Sequence, residues 1–289
     1  MVLNVVAAPT TTPATTPTLP APSPQTVVDS VGSAVRDLEQ GRMYGDPTTN
    51  AKYWVSQHSM NCTLMATAMV IGQLTGKTPS EAQIVYEAST TPSVNRGPGK
   101  SMYLGLNSDT GINDGDARAL LANHGITTTY TRYTDPNQAL EDLKSTLDDP
   151  KKAVIVGIDS AVVWAEVYKK DPPPNVKTAD HSVVVIGVDT NNNIVHLNDS
   201  GLGDDLDPIT NQPVGRDVQI PLDVFIRAWS ADSYLIFAGE QTGNPIPRTA
   251  WVANMPRKDA LDSVVNTPFA MGDLNNNDPA KAQHLVHFR

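Results

Sequence analysis

The sequence contains one cysteine, Cys62, among its 289 residues. A single thiol excludes an internal disulfide framework, a zinc site built from several cysteines and a redox Cys-x-x-Cys pair. A cysteine that occurs alone is either a small buried apolar side chain or a nucleophile. Which of these roles applies depends on the polar residues that the fold brings to Cys62.

Basic residues and long apolar runs are also scarce. Lys and Arg total 21 against 31 Asp and Glu, and the resulting net charge of −10 argues against a nucleic-acid groove or a patch that binds anionic membranes. No stretch approaches the roughly 18 uninterrupted apolar residues of a transmembrane helix. Nucleic acid and a membrane span are therefore not expected.

Both ends of the chain differ in composition from the middle. Residues 9–24 contain six Pro and six Thr, so residues 1–25 are expected to stay unstructured. Such segments are common in exported proteins and favour a secreted or cell-surface protein associated with the cell envelope; a plain linker in a cytoplasmic protein is the alternative. One domain is predicted over residues 26–240. Residues 241–289, rich in Asn, Pro and Asp, are predicted to form a loosely structured tail.

Helical patterns dominate the first half of this domain and strand patterns the second half, which predicts an α+β fold with an antiparallel sheet. Thr78 and Glu81 have the spacing of a capping box, which starts the third predicted helix. The predicted helices cover residues 27–38, 62–74, 79–87, 113–123, 135–147 and 221–229. The predicted strands cover residues 126–133, 153–158, 182–188, 194–198 and 234–238, and an Asn-rich turn joins the third and fourth as a hairpin.

Cys62 is predicted to begin a helix, and that position suits a reactive thiol. The free N–H groups and the partial positive charge of a helix N-terminus stabilise a thiolate, and the Cys62 N–H is available to an oxyanion. Gln57 lies five residues upstream, where its side-chain amide can reach the same oxyanion. Cys62 is thus the candidate nucleophile and Gln57 the candidate oxyanion-hole residue.

A thiolate needs a base, and the base needs an acceptor that orients it. Of the six histidines, His181 begins an apolar strand, so its imidazole sits at the end of a rigid element. The next strand ends at Asn198, and the hairpin brings the following Asp199 back beside His181. Asn198 would point to the other face of the strand, so only one of the two can orient the ring. Asp199 is favoured because an anion better supports an imidazolium, and Asn198 is the alternative.

Three segments carry these residues: QHSMNC at 57–62, DHSVVVIGVD at 180–189 and VHLND at 195–199. Together they resemble papain-like cysteine peptidases, and most closely the bacteriocin-processing, double-glycine peptidase-like branch. The resemblance spans about residues 50–240. It implies a helical lobe whose nucleophile helix packs against an antiparallel sheet lobe.

The resemblance also implies roles for individual residues. By position, Cys62 matches the nucleophile, His181 the base, Asp199 its orienting acceptor and Gln57 the oxyanion-hole residue, while Trp229 fits a late Trp of the family. The implied activity is that of a cysteine peptidase, a hydrolase that cleaves peptide or isopeptide amides of peptide or protein substrates through a thioester acyl-enzyme. Neither a metal nor an organic cofactor is expected.

Two departures from the family leave alternatives open. The family usually has Gly directly after the cysteine, whereas Thr63 stands here, and a β-branched residue can narrow the entrance. This favours a papain-fold binding or surface-attachment module without turnover as the main rival. A second rival is an amidase or acyltransferase that acts on cell-wall peptide. Transporter-linked members carry membrane and ATP-binding domains, which have no counterpart in this sequence, so leader-peptide trimming does not follow from the resemblance.

The remaining polar features are expected to be structural. His124 lies in a last helical turn and His196 within a strand, whereas His58 is adjacent to Gln57 and could line the cleft. The acidic loop at 199–207 lacks the spacing of a calcium loop, but it would lie beside the site and favour basic substrates.

Overall fold

The computed structural model describes residues 41–106 and 110–243. The segment 1–25, the helix predicted at 27–38 and all but the first three residues of the predicted tail lie outside the described residues.

Within the described residues, helices and antiparallel strands are mixed, which confirms the predicted α+β class. The helices are α1 (Pro47–Asn50), α2 (Cys62–Thr75), α3 (Glu81–Thr90), α4 (Asp114–Asn123), α5 (Pro136–Leu147), α6 (Ser160–Val167) and α7 (Leu222–Trp229). The strands are β1 (Met43–Gly45), β2 (Ile126–Thr131), β3 (Lys152–Ile158), β4 (His181–Asp189), β5 (Ile194–Asn198), β6 (Val218–Pro221) and β7 (Ile236–Gln241).

All these strands join one sheet in the order β2-β7-β3-β4-β5-β6, and β1 pairs with β4. Every pairing is antiparallel. Strand β4 lies at the centre and alternates between two cores. Val184 and Ile186 pack on one face with α2, α3 and α4, whereas Val183 and Val185 pack on the other face with α5, α6 and α7. The sheet is therefore covered on both faces by helices.

Helix α2 is buried against the first of these faces. Residues 64–72 are all buried, because almost every one of them is apolar or small. Gly76 ends the helix in the left-handed conformation, with φ of 76°, which glycine adopts without steric cost. None of the described helices has both the length and the apolar character needed to cross a bilayer.

The hairpin of β4 and β5 places the end of one strand beside the start of the other. Val184 pairs with Asn198, and a bulge between Val185 and Gly187 shifts the register further along. The residue after Asn198 therefore lies at the same end of the sheet as His181, the first residue of β4. This was the geometry expected from the turn between the two strands.

Sequence patterns missed or misplaced some elements. The capping box is formed by Ser80 and Gln83, two residues later than the predicted Thr78 pattern, because the Ser80 hydroxyl accepts from the Gln83 N–H. Helix α6 was not predicted, although Asp159 caps it by accepting from the Ala161 N–H. The short strands β1 and β6 were also missed, since each has only three or four residues.

Candidate active site

Cys62 is the first residue of α2 and is partly accessible. The preceding Asn61 does not cap the helix with its side chain; instead its Nδ2 donates to Glu81 Oε1 over 2.7 Å. The same carboxylate accepts from the His58 N–H, so Glu81 at the start of α3 holds the loop that leads to Cys62. The N–H groups of the first turn of α2 are thus left free of a side-chain cap beside the sulfur.

His181 lies at the start of β4, is buried, and connects two of the predicted site residues. Its Nε2 lies 2.6 Å from Asp199 Oδ1. Cys62 lies near enough to this ring for each of the two groups to shift the pKa of the other. Because Nε2 faces Asp199, Nδ1 is the ring nitrogen left for the sulfur. The structure therefore brings Cys62, His181 and Asp199 together in that order.

Asp199 is completely buried, and its carboxylate accepts hydrogen bonds from three donors. Oδ1 accepts from His181 and from the Gly201 N–H, and Oδ2 accepts from Trp164 Nε1 over 2.9 Å. Asn198 points elsewhere, since its Nδ2 donates to Asn50 O and its Oδ1 accepts from a backbone N–H beyond the loop. Of the two candidates, Asp199 is the residue that contacts the ring.

The three groups shift one another's protonation. Burial by itself raises the pKa of the Cys62 thiol, but hydrogen bonding to His181 and the charge of that ring outweigh burial and lower the pKa below its ordinary value. Burial opposes the charged imidazole too, yet the Asp199 carboxylate holds the pKa of His181 well above its ordinary value. Burial likewise works against ionisation of Asp199, and the His181 charge overcomes it and lowers the pKa of the carboxyl. Thiolate and imidazolium are the forms that this arrangement favours.

Gln57 is oriented by the residue that follows Asp199. Its Oε1 accepts from the Ser200 hydroxyl over 2.7 Å, and its backbone N–H donates to Ser200 O. Its Nε2 donates to Ser59 O over 3.2 Å and keeps a second hydrogen. The turn that positions His181 through Asp199 therefore also fixes the Gln57 amide through Ser200.

Two residues near His181 were not found from the sequence. The Trp164 ring packs edge-on against the imidazole, with centroids 5.5 Å apart, while its N–H bonds to Asp199. Gly201 lies so close that a Cβ there would be 2.8 Å from Trp164 Cζ2 and 2.9 Å from His181 Cε1. Helix α6, which carries Trp164, could have been predicted from one signal in the sequence: Asp159 and Ser160 precede an apolar run.

Three other residues considered above make their contacts away from the sulfur. Trp229, which fits a late Trp of the family by position, is a core residue whose Nε1 donates to Leu235 O. His124 and His196 pair with Glu87 and Asp217, as structural residues would. The described residues contain no cluster of three or more His, Cys, Asp or Glu side chains able to hold a metal ion.

His58, the residue after Gln57, forms an ionic bridge between two carboxylates. Its Nδ1 lies 2.6 Å from Glu81 Oε2 and its Nε2 lies 3.2 Å from Asp204 Oδ2. The hydrogen bond to Glu81 outweighs burial and raises the pKa of His58 to about 9. The acidic loop is therefore tied to the segment that precedes Cys62.

The sequence of the chain is similar to one family profile and to several known proteins. The Peptidase_C39 like family profile matches residues 44–217. Two mycobacterial proteins described as uncharacterized, one from Mycobacterium tuberculosis and one from Mycobacterium bovis, are each 40% identical over 205 residues, which is 67% of this chain and 83% of theirs.

Two solved structures are also similar to the chain. One is a C39-like peptidase from Bacillus anthracis, 16% identical, with a TM-score of 0.42 over 71% of this chain and 100% of that one. The other is a double glycine motif protease from an AMS/PCAT transporter in complex with its leader peptide, also 16% identical, with a TM-score of 0.38 over 65% of this chain and 91% of that one. The profile match covers more than half of the residues, and the mycobacterial relatives extend over two thirds of them. The chain therefore belongs to the Peptidase_C39 like family.

Proposed function

We propose that this protein is a cysteine peptidase in which Cys62 is the nucleophile, His181 the general acid and base, and Asp199 the residue that orients it. Family and fold support a function of the cysteine-peptidase type. The observation that carries the finer proposal is the chain of contacts from Cys62 through the buried His181 ring to the buried Asp199 carboxylate. A thiol that only fills space has no use for such a chain.

The proposed reaction proceeds in two steps. The Cys62 thiolate attacks the amide carbonyl, and as the C–N bond breaks the His181 imidazolium gives its proton to the leaving amine. A thioester to Cys62 remains. His181 then takes a proton from water, the hydroxide displaces the sulfur, and the acid product leaves with the thiolate restored. Asp199 keeps the ring in one orientation throughout.

Charge on the carbonyl oxygen would be held by the Cys62 N–H and by Gln57. The Cys62 N–H belongs to the first turn of α2, where no intrahelical acceptor uses it. The Ser200 hydroxyl donates to Gln57 Oε1, so the Gln57 amide nitrogen faces away from Ser200. In this orientation the Gln57 side chain offers the oxyanion a donor and not an acceptor. Removal of one such donor costs on the order of a hundredfold or more in rate.

The proposed substrates are peptide or protein amides, including isopeptides. The acidic loop at 199–207, which contains Asp204 and Asp205, supports a preference for basic residues in the substrate. A secreted or cell-surface location with envelope association stays a prediction that rests on the Pro/Thr segment at 9–24.

The proposal is tested by alkylation of the chain with iodoacetamide across the pH range. Because Cys62 is the only cysteine, the label reports on that sulfur alone. We expect rapid alkylation well below the ordinary thiol pKa of about 8.5, and its loss in His181→Ala. His196→Ala is the matched control, since His196 also pairs with a carboxylate in the sheet but is not bonded to Cys62. An ordinary thiol profile that ignores His181 would contradict an activated nucleophile.

Turnover is tested with a peptide library followed by mass spectrometry. We expect cleavage by the wild-type protein, none by Cys62→Ala, and a loss of about a hundredfold in Gln57→Ala. Thioester transfer to an added amine in place of hydrolysis would indicate the acyltransferase. An activated thiol without any product would instead indicate the binding module.

A further inference from the structure

A pair of hydroxyl groups joins the two elements that carry Cys62 and His181. Thr63 Oγ1 lies 2.8 Å from Ser182 Oγ. Thr63 directly follows Cys62 in α2, and Ser182 directly follows His181 in β4. The bond therefore connects the residue after the sulfur with the residue after the imidazole, and the reaction described above does not use it.

The same two residues also act on the thiol. Interactions with the Thr63 side chain and with the Ser182 backbone each lower the pKa of Cys62, in addition to the effect of His181. Thr63 has a single hydroxyl hydrogen. If that hydrogen points to the thiolate, the Ser182 hydroxyl must donate to Thr63 Oγ1. The donors then run in one direction, from Ser182 through Thr63 to the sulfur, and each bond strengthens the next.

We infer that Thr63 and Ser182 are positioning residues that hold the Cys62 sulfur at a fixed place against His181 and stabilise negative charge on it. The inference rests on the proposed function, in which that charge is the nucleophile. Thr63 is itself anchored, because its carbonyl accepts from the Thr67 hydroxyl over 2.7 Å.

This assigns a use to the residue that departs from the family pattern. Glycine at position 63 would supply no hydroxyl for the sulfur and none for Ser182. Threonine supplies both, and its Oγ1 is engaged between two elements of the site rather than directed at the entrance. The β-branched residue is therefore part of the machinery around Cys62 and not an obstacle to it.

The test is the pH dependence of Cys62 alkylation in variants of the full chain. Thr63→Val keeps the shape of the side chain and removes the hydroxyl. We expect its alkylation midpoint to move up by about one pH unit, which is about a tenfold loss of thiolate at low pH. Thr63→Ser restores the hydroxyl and should restore the wild-type midpoint. Ser182→Ala should shift it in the same direction, and the double variant with Thr63→Val should shift it little further.

Thr75→Val is the matched control. Its hydroxyl bonds to Ile71 O in the same helix, far from the sulfur, so its removal should leave the midpoint unchanged. Wild-type midpoints in both Thr63→Val and Ser182→Ala would overturn the inference even if both variants are less stable to urea. That failure is distinct from failure of the proposed function, in which the wild-type protein itself shows an ordinary thiol that does not respond to His181→Ala.

Discussion

The contact between Trp164 and Asp199 gives the sharpest test of how the site is built. Trp164→Phe keeps an aromatic ring against His181 but removes the N–H that donates to Asp199 Oδ2 over 2.9 Å. Because Asp199 is completely buried, solvent water does not replace the lost indole N–H. One oxygen of a buried carboxylate is left without the donor that it has in the wild-type protein.

The magnitude follows from the charge of the acceptor. A hydrogen bond to a charged group contributes about 1.5–3 kcal/mol, and a neutral bond about 0.5–1.5 kcal/mol. The chain contains a matched control, since Trp54 Nε1 donates over 2.8 Å to the backbone carbonyl of the same Asp199. Trp54→Phe loses the same atoms and one neutral bond. We expect Trp164→Phe to lower the free energy of unfolding by about 1–2 kcal/mol more than Trp54→Phe does.

The assay combines urea unfolding with Cys62 alkylation, both at neutral pH. A weaker hold on Asp199 gives the His181 imidazolium less support, so we expect slower alkylation in Trp164→Phe and no change in Trp54→Phe. Equal losses of stability in the two variants, with alkylation unaffected in both, would refute the reasoning. In that outcome the indole N–H would matter only as an ordinary buried donor.

Three further predictions concern neighbouring residues. Gly201→Ala would place a Cβ 2.9 Å from His181 Cε1, so the ring must shift. Peptide hydrolysis should then fall by about a hundredfold in protein that keeps its native circular dichroism, and an unchanged rate would contradict this packing. Asn198→Ala should keep the low-pH alkylation of Cys62 while Asp199→Ala loses it, and the reverse result would make the amide the orienting group. The pKa of His58 is raised to about 9, mainly by its bond to a buried carboxylate, so its stabilising effect is complete below the ordinary value of 6.5 and is lost as pH rises through about 9. In His58→Gln, the free energy of unfolding should decrease less than in the wild-type protein as the pH rises through about 9. The same pH dependence of urea unfolding in both proteins would contradict the ionic bridge.

Local patterns were sufficient for most of the elements. The helix that begins at Cys62, the strand that begins near His181 and the following hairpin were all readable, because each is a long apolar pattern with a clear start or stop signal. The hairpin in turn placed Asp199 beside His181, since a tight turn between paired strands fixes which residues face each other.

The sequence by itself determined which reactive groups are available: the Cys62 thiol, the His181 ring at the start of a strand, and the Asp199 carboxylate after the second strand of the hairpin. Only the tertiary structure decided how these groups are held. Trp164, on helix α6, donates to Asp199, and the Ser200 hydroxyl donates to Gln57, which lies far from it in the sequence. Thr63 is hydrogen-bonded to Ser182, 119 positions along the chain. Such contacts join residues distant in sequence, and no local periodicity records them, because they arise only when the packing of α2 and α6 on the sheet brings the side chains together.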